Sequence, residues 1–191
     1  MLWVNEKQFE QKYINFCMYT SKNSNMNLVA YLKANNVWFN LISKESTIHT
    51  TDAATAAGLP LERVTKSLVF LADEKPVLVI IPGDCRVDKG KLKEVLTVRN
   101  VRLVPFGEAE KYSGYPPGAT PPVCHKRIKL VVIDQRVMKF KTVYGGGGSR
   151  KKLIELKPED IQKLNKAIVA DVCERGVKNE NVDDTRRLFE V

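Results

Sequence analysis

The sequence contains few of the residues from which metal centres and side-chain catalytic triads are built. Its 191 residues include two histidines, His49 and His125, and four cysteines that are widely spaced and form no Cys-x-x-Cys pair. Two histidines without clustered acids do not supply a catalytic zinc site, and isolated cysteines predict neither a zinc knuckle nor a disulfide framework. Cys124 and His125 are adjacent, and neighbours on an extended segment point to opposite faces, so they cannot form a nucleophile–base dyad. We therefore expect no metal, no cofactor, and a reducing cytoplasmic environment.

Long apolar runs are also missing. No segment approaches the ~20 consecutive apolar residues that span a bilayer, and Asn5, Glu6 and Lys7 interrupt the N-terminus before a signal-like stretch can develop. The composition, with 43% hydrophobic and 28% charged residues, is typical of a globular protein. The sequence predicts no membrane association and, at ~150 residues per domain, one main core.

Positive charge is in excess and unevenly distributed. Lysine and arginine number 31 against 22 acids, which gives a net charge of +9. Between Lys126 and Lys152 there are nine bases and one acid, Asp134, so nearly the whole excess lies there. Such a run favours an anionic partner, although a merely solvated face is the common alternative. The alternation of apolar and basic residues over 137–143 predicts a strand that gives the sheet one cationic surface.

Hydrophobic periodicity and turn residues predict helices and strands that mix without strict alternation. Predicted helices cover 27–33, 51–57 with a Thr51 N-cap and a Gly58 end, 88–96, 107–112 and 158–171; predicted strands cover 38–42, 64–72, 77–81, 101–104, 128–134, 139–144 and 153–156. A hairpin is expected across 73–76. We predict an α+β fold, a single domain around a mixed, partly closed, barrel-like sheet with peripheral helices.

Polar, weakly patterned segments flank this predicted domain. Residues 1–25 are expected to be an N-terminal extension, either disordered or produced by a start codon assigned upstream of Met26. The folded domain is predicted to span 26–172, and 173–191 to form a polar C-terminal tail.

Lys66 is the first candidate functional residue. In the predicted strand it shares a face with Val64, Leu68 and Phe70, where a lysine is out of place. It either snorkels to solvent at a strand end, or places its ammonium in a cleft where it binds a phosphate or an ester oxygen.

Two glycine-rich segments are further candidates. Residues 114–122 contain four prolines and two glycines, which exclude a regular element and leave few amides, such as those of Ala119 and Thr120, to face one direction. Such amides can form an oxyanion site, and a rigid structural loop is the alternative. Gly145 to Gly148 lack the spacing of a phosphate-binding loop and predict a turn beside a ligand, a tight bend, or a solvated loop.

These features occur in an order that resembles the YbaK-type aminoacyl-tRNA deacylases, relatives of the editing domain inserted in bacterial prolyl-tRNA synthetases. The resemblance covers roughly residues 28–170. It is carried by the segments 51–60, 64–70, 77–83, 118–122 and 131–134, and by the glycine run before 153–160. It implies a domain that hydrolyses the ester between a wrong small amino acid, such as alanine or cysteine, and the end of a tRNA.

The resemblance also implies a set of site residues. Lys66 and Gly118 would be catalytic; Ala119, Thr120, Pro122, His125, Asp134, Gly146 and Gly147 would bind substrate; Lys126, Arg127, Lys139, Lys141, Arg150 and Lys151 would bind tRNA phosphates. The implied partners are the acceptor end of an aminoacyl-tRNA and an aminoacyl-tRNA synthetase. Such enzymes work without a side-chain base, through a positioned water or groups of the substrate.

Two departures from the family pattern stand out. Cys124 replaces the glycine of a Pro-x-Gly-His segment, and the basic stretch is stronger than expected. The alternative function is a non-catalytic module that binds nucleic acid or a nucleotide with the same basic face. The sequence leaves the edited amino acid and the oligomeric state open.

Overall fold

The structure is a computed structural model of the chain, and it describes residues 27–125 and 127–174. The helices are α1 (Leu28–Ala34), α2 (Thr50–Ala57), α3 (Lys89–Leu96), α4 (Ala109–Ser113) and α5 (Pro158–Asn165), with short 3-10 turns at Leu61–Arg63, Phe106–Glu108 and Val137–Lys139. The strands are β1 (Asn40–Ser43), β2 (Thr65–Ala72), β3 (Lys75–Pro82), β4 (Val101–Leu103), β5 (Leu130–Asp134), β6 (Val143–Gly146), β7 (Lys152–Leu156) and β8 (Ile168–Ala170). Within the described ranges, no helix combines the length and apolar character needed to cross a bilayer.

The strands form two sheets that meet at the start of β2. The larger sheet has the order β4-β2-β3-β5-β8, in which β3–β5 and β5–β8 are parallel pairs and the others antiparallel. The smaller sheet has the antiparallel order β1-β7-β6. A parallel bridge between Val64 and Tyr144 joins them. The α+β class and the mixed sheet are therefore confirmed.

The larger sheet carries an apolar core on each face because neighbouring side chains of β2 and β3 alternate. On one face, residues such as Val69 and Ile80 pack with Leu32 of α1 and Ile161 of α5. On the other face, Phe70 and Val79 pack around Leu92 of α3, whose side chain is fully buried. Each fully buried Leu or Ile contributes ~1.5–3 kcal/mol of transfer free energy, so the two cores fix the strands that support the site.

Local signals position several boundaries. Asn27 and Asp88 cap α1 and α3 by accepting hydrogen bonds from backbone amides, and Gly58 ends α2 at a φ of 63°. The residue before α2 is His49, so the predicted Thr51 N-cap is wrong; Thr51 lies inside the first turn. The β2–β3 hairpin turns at Asp73 and Glu74, both at positive φ, as a tight two-residue turn requires.

Two predicted elements are wrong. The expected strand over 139–144 begins at Val143, because Val137–Lys139 forms a 3-10 turn and 140–142 lies outside any strand; the alternation there does not produce a cationic sheet surface. The closing helix, predicted to 171, ends at Asn165, where Lys166 adopts a φ of 50°. Ile168–Ala170 then adds a strand to the larger sheet.

The predicted terminal segments fall largely outside the described residues. The extension over 1–25 lies there, as do residues 175–191 of the predicted tail. Cys173 is fully buried and bridges to Val87, so the folded part of the chain continues past the predicted boundary at 172.

Candidate functional site

The glycine run packs directly against the loop that follows α4. A Cβ placed on Gly146 would lie 2.4 Å from the carbonyl oxygen of Thr120 and 2.6 Å from that of Ala119. A Cβ on Gly145 would lie 2.7 Å from the Pro122 ring and 3.3 Å from the Thr65 hydroxyl. Glycine is required here because backbone approaches backbone too closely for any side chain. The run is thus a close-packing element and not a solvated loop.

The loop itself is shaped by Gly118, which adopts a φ of +80° and lies against the backbone of Ile48. The amide of Ala119 donates to the carbonyl of Pro116 at 3.0 Å, and the carbonyl of Ala119 accepts from the amide of Gly148 at 3.0 Å. The Ala119 amide therefore donates its hydrogen bond within the loop. The sequence had predicted that this amide is available to a substrate oxygen. The amides of Gly118 and Thr120 are the remaining candidates for binding a substrate oxygen.

Arg150 fixes the outer side of this loop. Its Nε donates to the carbonyl of Pro117 at 3.1 Å. The carbonyl of Arg150 in turn accepts from the ammonium of Lys44, which also contacts the hydroxyl of Thr47. Burial lowers the pKa of Lys44. A guanidinium is consequently held at the rim of the Gly118 loop.

Lys66 lies near the start of β2, and its ammonium donates to the carbonyl of Cys85 at 3.1 Å. Its pKa is lowered, chiefly because burial removes water from the ammonium, while the neighbouring Cys85 and Asp84 act in the opposite direction. The adjacent Thr65 bonds the carbonyl of Tyr144 at 3.1 Å and borders the glycine run. Because neighbouring side chains of a strand point to opposite faces, Thr65 faces the glycine run and Lys66 faces the connection that contains Cys85.

Asp134 is placed at the end of β5 and is fully buried. Its carboxylate accepts from the amides of Arg136, Val172 and Cys173 at 2.9, 2.9 and 3.0 Å. These bonds tie the end of β5 to the segment after β8. The geometry gives Asp134 an organising role in the fold; its predicted contact with substrate remains a prediction.

His125 anchors the far side of the loop. Its Nε2 lies 2.8 Å from the carbonyl of Pro121, and since a carbonyl only accepts, the ring nitrogen donates. The residue keeps a partly exposed surface, yet loss of hydration around the ring lowers its pKa to about 4. A neutral His125 thus holds the Pro121–Pro122 peptide and is positioned to support the loop.

Cys124 occupies a backbone position that favours glycine. Its φ is +69°, in the left-handed region, and its side chain is buried in the core that contains Leu32 and Ile133. A glycine would adopt this conformation without the strain that a side chain incurs.

The predicted tRNA-binding residues lie on several elements. Arg127, Lys139, Lys141 and Lys151 are exposed, on the connection before β5, the 3-10 turn, the segment before β6 and the β6–β7 turn. Arg150 is the member that contacts the Gly118 loop through Pro117. Lys126 lies outside the described residues.

Sequence reasoning missed a second group of residues beneath Lys66. The guanidinium of Arg136 donates to the sulfur of Cys85 at 3.1 Å, and the carbonyl of Cys85 accepts from Lys66. Lys66 and Asp134 are thereby linked through Cys85 and Arg136. The position of Cys85 just after a buried strand was the available signal, but its partners are remote in sequence.

Residues 44–164 match the family model of the aminoacyl-tRNA editing domain, and the chain belongs to that family. The crystal structure of the hypothetical protein APE2540 superposes with a TM-score of 0.72 at 32% identity, covering 77% of this chain and 99% of that one.

Three kinds of sequence relative also match this chain. The uncharacterized protein YwhH of Bacillus subtilis is 28% identical over 123 residues, which is 63% of this chain and 78% of YwhH. The Enterococcus faecalis protein named "Putative Cys-tRNA(Pro)/Cys-tRNA(Cys) deacylase EbsC" is 25% identical over 129 residues, 67% of this chain and 79% of EbsC. The chain also matches proline–tRNA ligases, of which it spans about 15% of the length.

Proposed function

We propose that this protein is a trans-editing hydrolase that deacylates mischarged aminoacyl-tRNA carrying a small amino acid such as alanine or cysteine. The observation that carries the proposal is the backbone contact between Gly146 and the Ala119–Thr120 peptide, next to the strand that bears Lys66. Family membership and the name of the EbsC relative support the same reaction.

The loop supplies the first part of the proposed chemistry. Water attacks the ester carbonyl, and the resulting tetrahedral oxyanion needs hydrogen-bond donors already in place. The amides of Gly118 and Thr120 are suited to this role because Gly146, Arg150 and His125 hold their loop from three sides. Preorganised donors need no rearrangement as the charge develops, which lowers the barrier.

Lys66 supplies the second part. Its half-buried ammonium donates one hydrogen bond to Cys85 and retains further protons for an ester oxygen or the terminal phosphate. A cation with reduced hydration interacts more strongly with an anion than a solvated one does. In this mechanism Lys66 stabilises charge, and the proton of the attacking water passes to solvent or to a group of the substrate.

The phosphate contacts form the third part. Arg150 at the loop rim, with Arg127, Lys139, Lys141 and Lys151 farther out, would bind the acceptor end in a salt-sensitive, largely sequence-independent manner. An aminoacyl-tRNA synthetase that releases mischarged tRNA is the proposed supplier of the substrate.

The test is hydrolysis of tRNA charged separately with alanine, cysteine, serine or proline by the full chain at low and moderate salt. Lys66→Ala should lower kcat on the accepted ester by ~10²–10³-fold, as expected for loss of a charge-stabilising donor. KM should change much less, because the lysine acts mainly in the transition state. Lys75→Ala, which removes an exposed lysine from the neighbouring strand β3, is the matched control and should retain full activity.

Two other results would contradict parts of this proposal. If the wild type hydrolyses none of the four esters but binds tRNA in a salt-sensitive way, the protein is a non-catalytic nucleic-acid or nucleotide-binding module. Full activity of Lys66→Ala alongside an active wild type would refute the role of the lysine and leave the editing function standing.

A further inference from the structure

Two buried thiols lie on paired segments near Lys66, and the proposed editing chemistry does not use them. Cys85 lies in the connection after β3, and Cys173 follows β8. Both are free, and both are buried in the apolar cluster that contains Leu92 and Val132. The two cysteines belong to one apolar cluster and to segments that are paired through their backbones, although 88 positions separate them in the sequence.

Backbone hydrogen bonds hold the two segments side by side. Val87 and Cys173 form an antiparallel bridge, the amide of Asp88 donates to Val172 at 2.8 Å, and the amide of Glu174 donates to Arg86 at 3.0 Å. A disulfide forms without strain only between backbones already close together. Cys173 lies opposite Val87 in this ladder, two residues from Cys85, so the ladder holds the two cysteine-bearing segments side by side.

The surroundings make the two thiols unequal. The sulfur of Cys85 accepts a hydrogen bond from the guanidinium of Arg136 at 3.1 Å, whereas Cys173 neighbours the carboxylate of Asp134, which bonds its amide. Burial raises the pKa of both thiols; Arg136 opposes the rise at Cys85, and Asp134 adds to it at Cys173. Cys85 also retains 7% exposure against 0% for Cys173. Of the two thiols, Cys85 is therefore the one whose surroundings disfavour the thiolate less and which retains some exposure to solvent.

We propose that Cys85 and Cys173 are a redox-active pair that a peroxide converts reversibly into a disulfide. The Cys85 thiolate attacks one peroxide oxygen, the O–O bond breaks, and a sulfenic acid and hydroxide form. The sulfur of Cys173 then attacks that of Cys85, its proton joins the departing hydroxyl, and water leaves. Overall, two thiols and one hydrogen peroxide give one disulfide and two waters.

The test follows the covalent state of the full chain and does not depend on deacylation. Protein in a Cys17→Ser background is treated with a small excess of hydrogen peroxide at pH 8. Its intact mass is measured before alkylation, and a second portion is alkylated and analysed by peptide mapping. We expect a mass decrease of about 2 Da that dithiothreitol reverses, with Cys85 and Cys173 in one linked peptide. Cys124→Ser should leave this product unchanged, whereas Cys85→Ser and Cys173→Ser should each abolish it.

Three results would overturn the proposal. The first is over-oxidation of Cys85 while Cys173 stays free. The second is disulfide formation that includes Cys124 as readily as Cys173. The third is that both thiols stay unreacted in the folded protein, although the same peroxide treatment links them in the protein unfolded by guanidinium. Because mapping of the Cys17→Ser protein decides between these results, failure of a further serine variant to fold does not remove the test.

Arg136 provides a second measurement. Arg136→Gln removes the cation that favours the Cys85 thiolate and should slow disulfide formation by several-fold, while Arg127→Gln, at an exposed site, should not. Equal rates in the two variants would remove Arg136 from the proposal.

Discussion

Replacing Gly146 by alanine tests the contact on which the proposed site depends. The new Cβ would meet the Thr120 carbonyl oxygen at 2.4 Å and the Ala119 carbonyl carbon and oxygen at 2.6 Å. Ordinary contacts of this kind lie at 3.4–4 Å, so β6 and the loop must separate by roughly 1 Å. Because all three atoms belong to the backbone, no side-chain rotation can relieve the clash.

The expected cost is ~1–3 kcal/mol of unfolding free energy, the usual range for overpacking. The loop carries the proposed oxyanion donors, and a misplacement of about 1 Å lowers rates by ~10²-fold. Urea unfolding measures the first quantity, and deacylation of the accepted aminoacyl-tRNA measures the second. Gly107→Ala is the matched control, since its Cβ would meet nothing within 4 Å. It should change stability by less than ~0.5 kcal/mol and leave activity intact.

Each outcome bears on a different step of the reasoning. If Gly146→Ala keeps wild-type stability, the close contact between β6 and the loop is refuted. If stability falls while kcat is unchanged, the contact stands and the loop is not the oxyanion site.

Two further predictions concern the end of the loop. Because the folded pKa of His125, about 4, lies below its usual 6.5, the unfolded chain binds the proton first on acidification. Stability should therefore fall by up to ~3 kcal/mol as pH drops from about 6.5 to 4, and His125→Gln should reduce this slope in urea titrations at several pH values; an unchanged slope would contradict the assignment. At Cys124, where φ is +69°, Cys124→Gly should be more stable than Cys124→Ala by ~1 kcal/mol, the reverse of the ordinary order. Thermal unfolding of both variants decides this, and alanine ranking above glycine would refute backbone strain at this position.

Local signals allowed much of the framework to be predicted from the sequence. The helix predicted over 88–96, the stop at Gly58 and the hairpin at 73–76 depend on a few consecutive residues, and each is present in the structure. The sequence places Lys66 on an apolar strand face, and its side chain is partly buried there and donates to Cys85. Its role in catalysis stays a prediction. The sequence shows the glycine run that contains Gly146, but it does not show that the backbone of Ala119 and Thr120 packs against this glycine.

Features that depend on remote partners could not be predicted. The alternation over 137–143 suits a strand, but no neighbouring strand is available to Val137–Lys139, which turns instead. The helix prediction extended to 171 because apolar periodicity continues, whereas pairing with β5 draws Ile168–Ala170 into the sheet. The link from Lys66 through Cys85 to Arg136 joins three separate segments, and single-sequence patterns contain no information on such contacts.

The bridge between Val64 and Tyr144 has a consequence for how the chain folds during its synthesis. This bridge joins the larger sheet to the smaller one. Within the smaller sheet, β1 pairs with β7, so that Asn40 lies opposite Glu155, a residue far away in the sequence. Such contacts form late, because a long loop must close before they contribute stability. During synthesis, β1 must wait for β7 to leave the ribosome, and the glycine run that packs on the loop belongs to the β6–β7 hairpin. A nascent chain that stops before β7 can already pair β2 with β3. The glycine run, however, then lacks the strand β7 with which β6 pairs. The proposed activity should therefore emerge only when nearly the whole domain has been made.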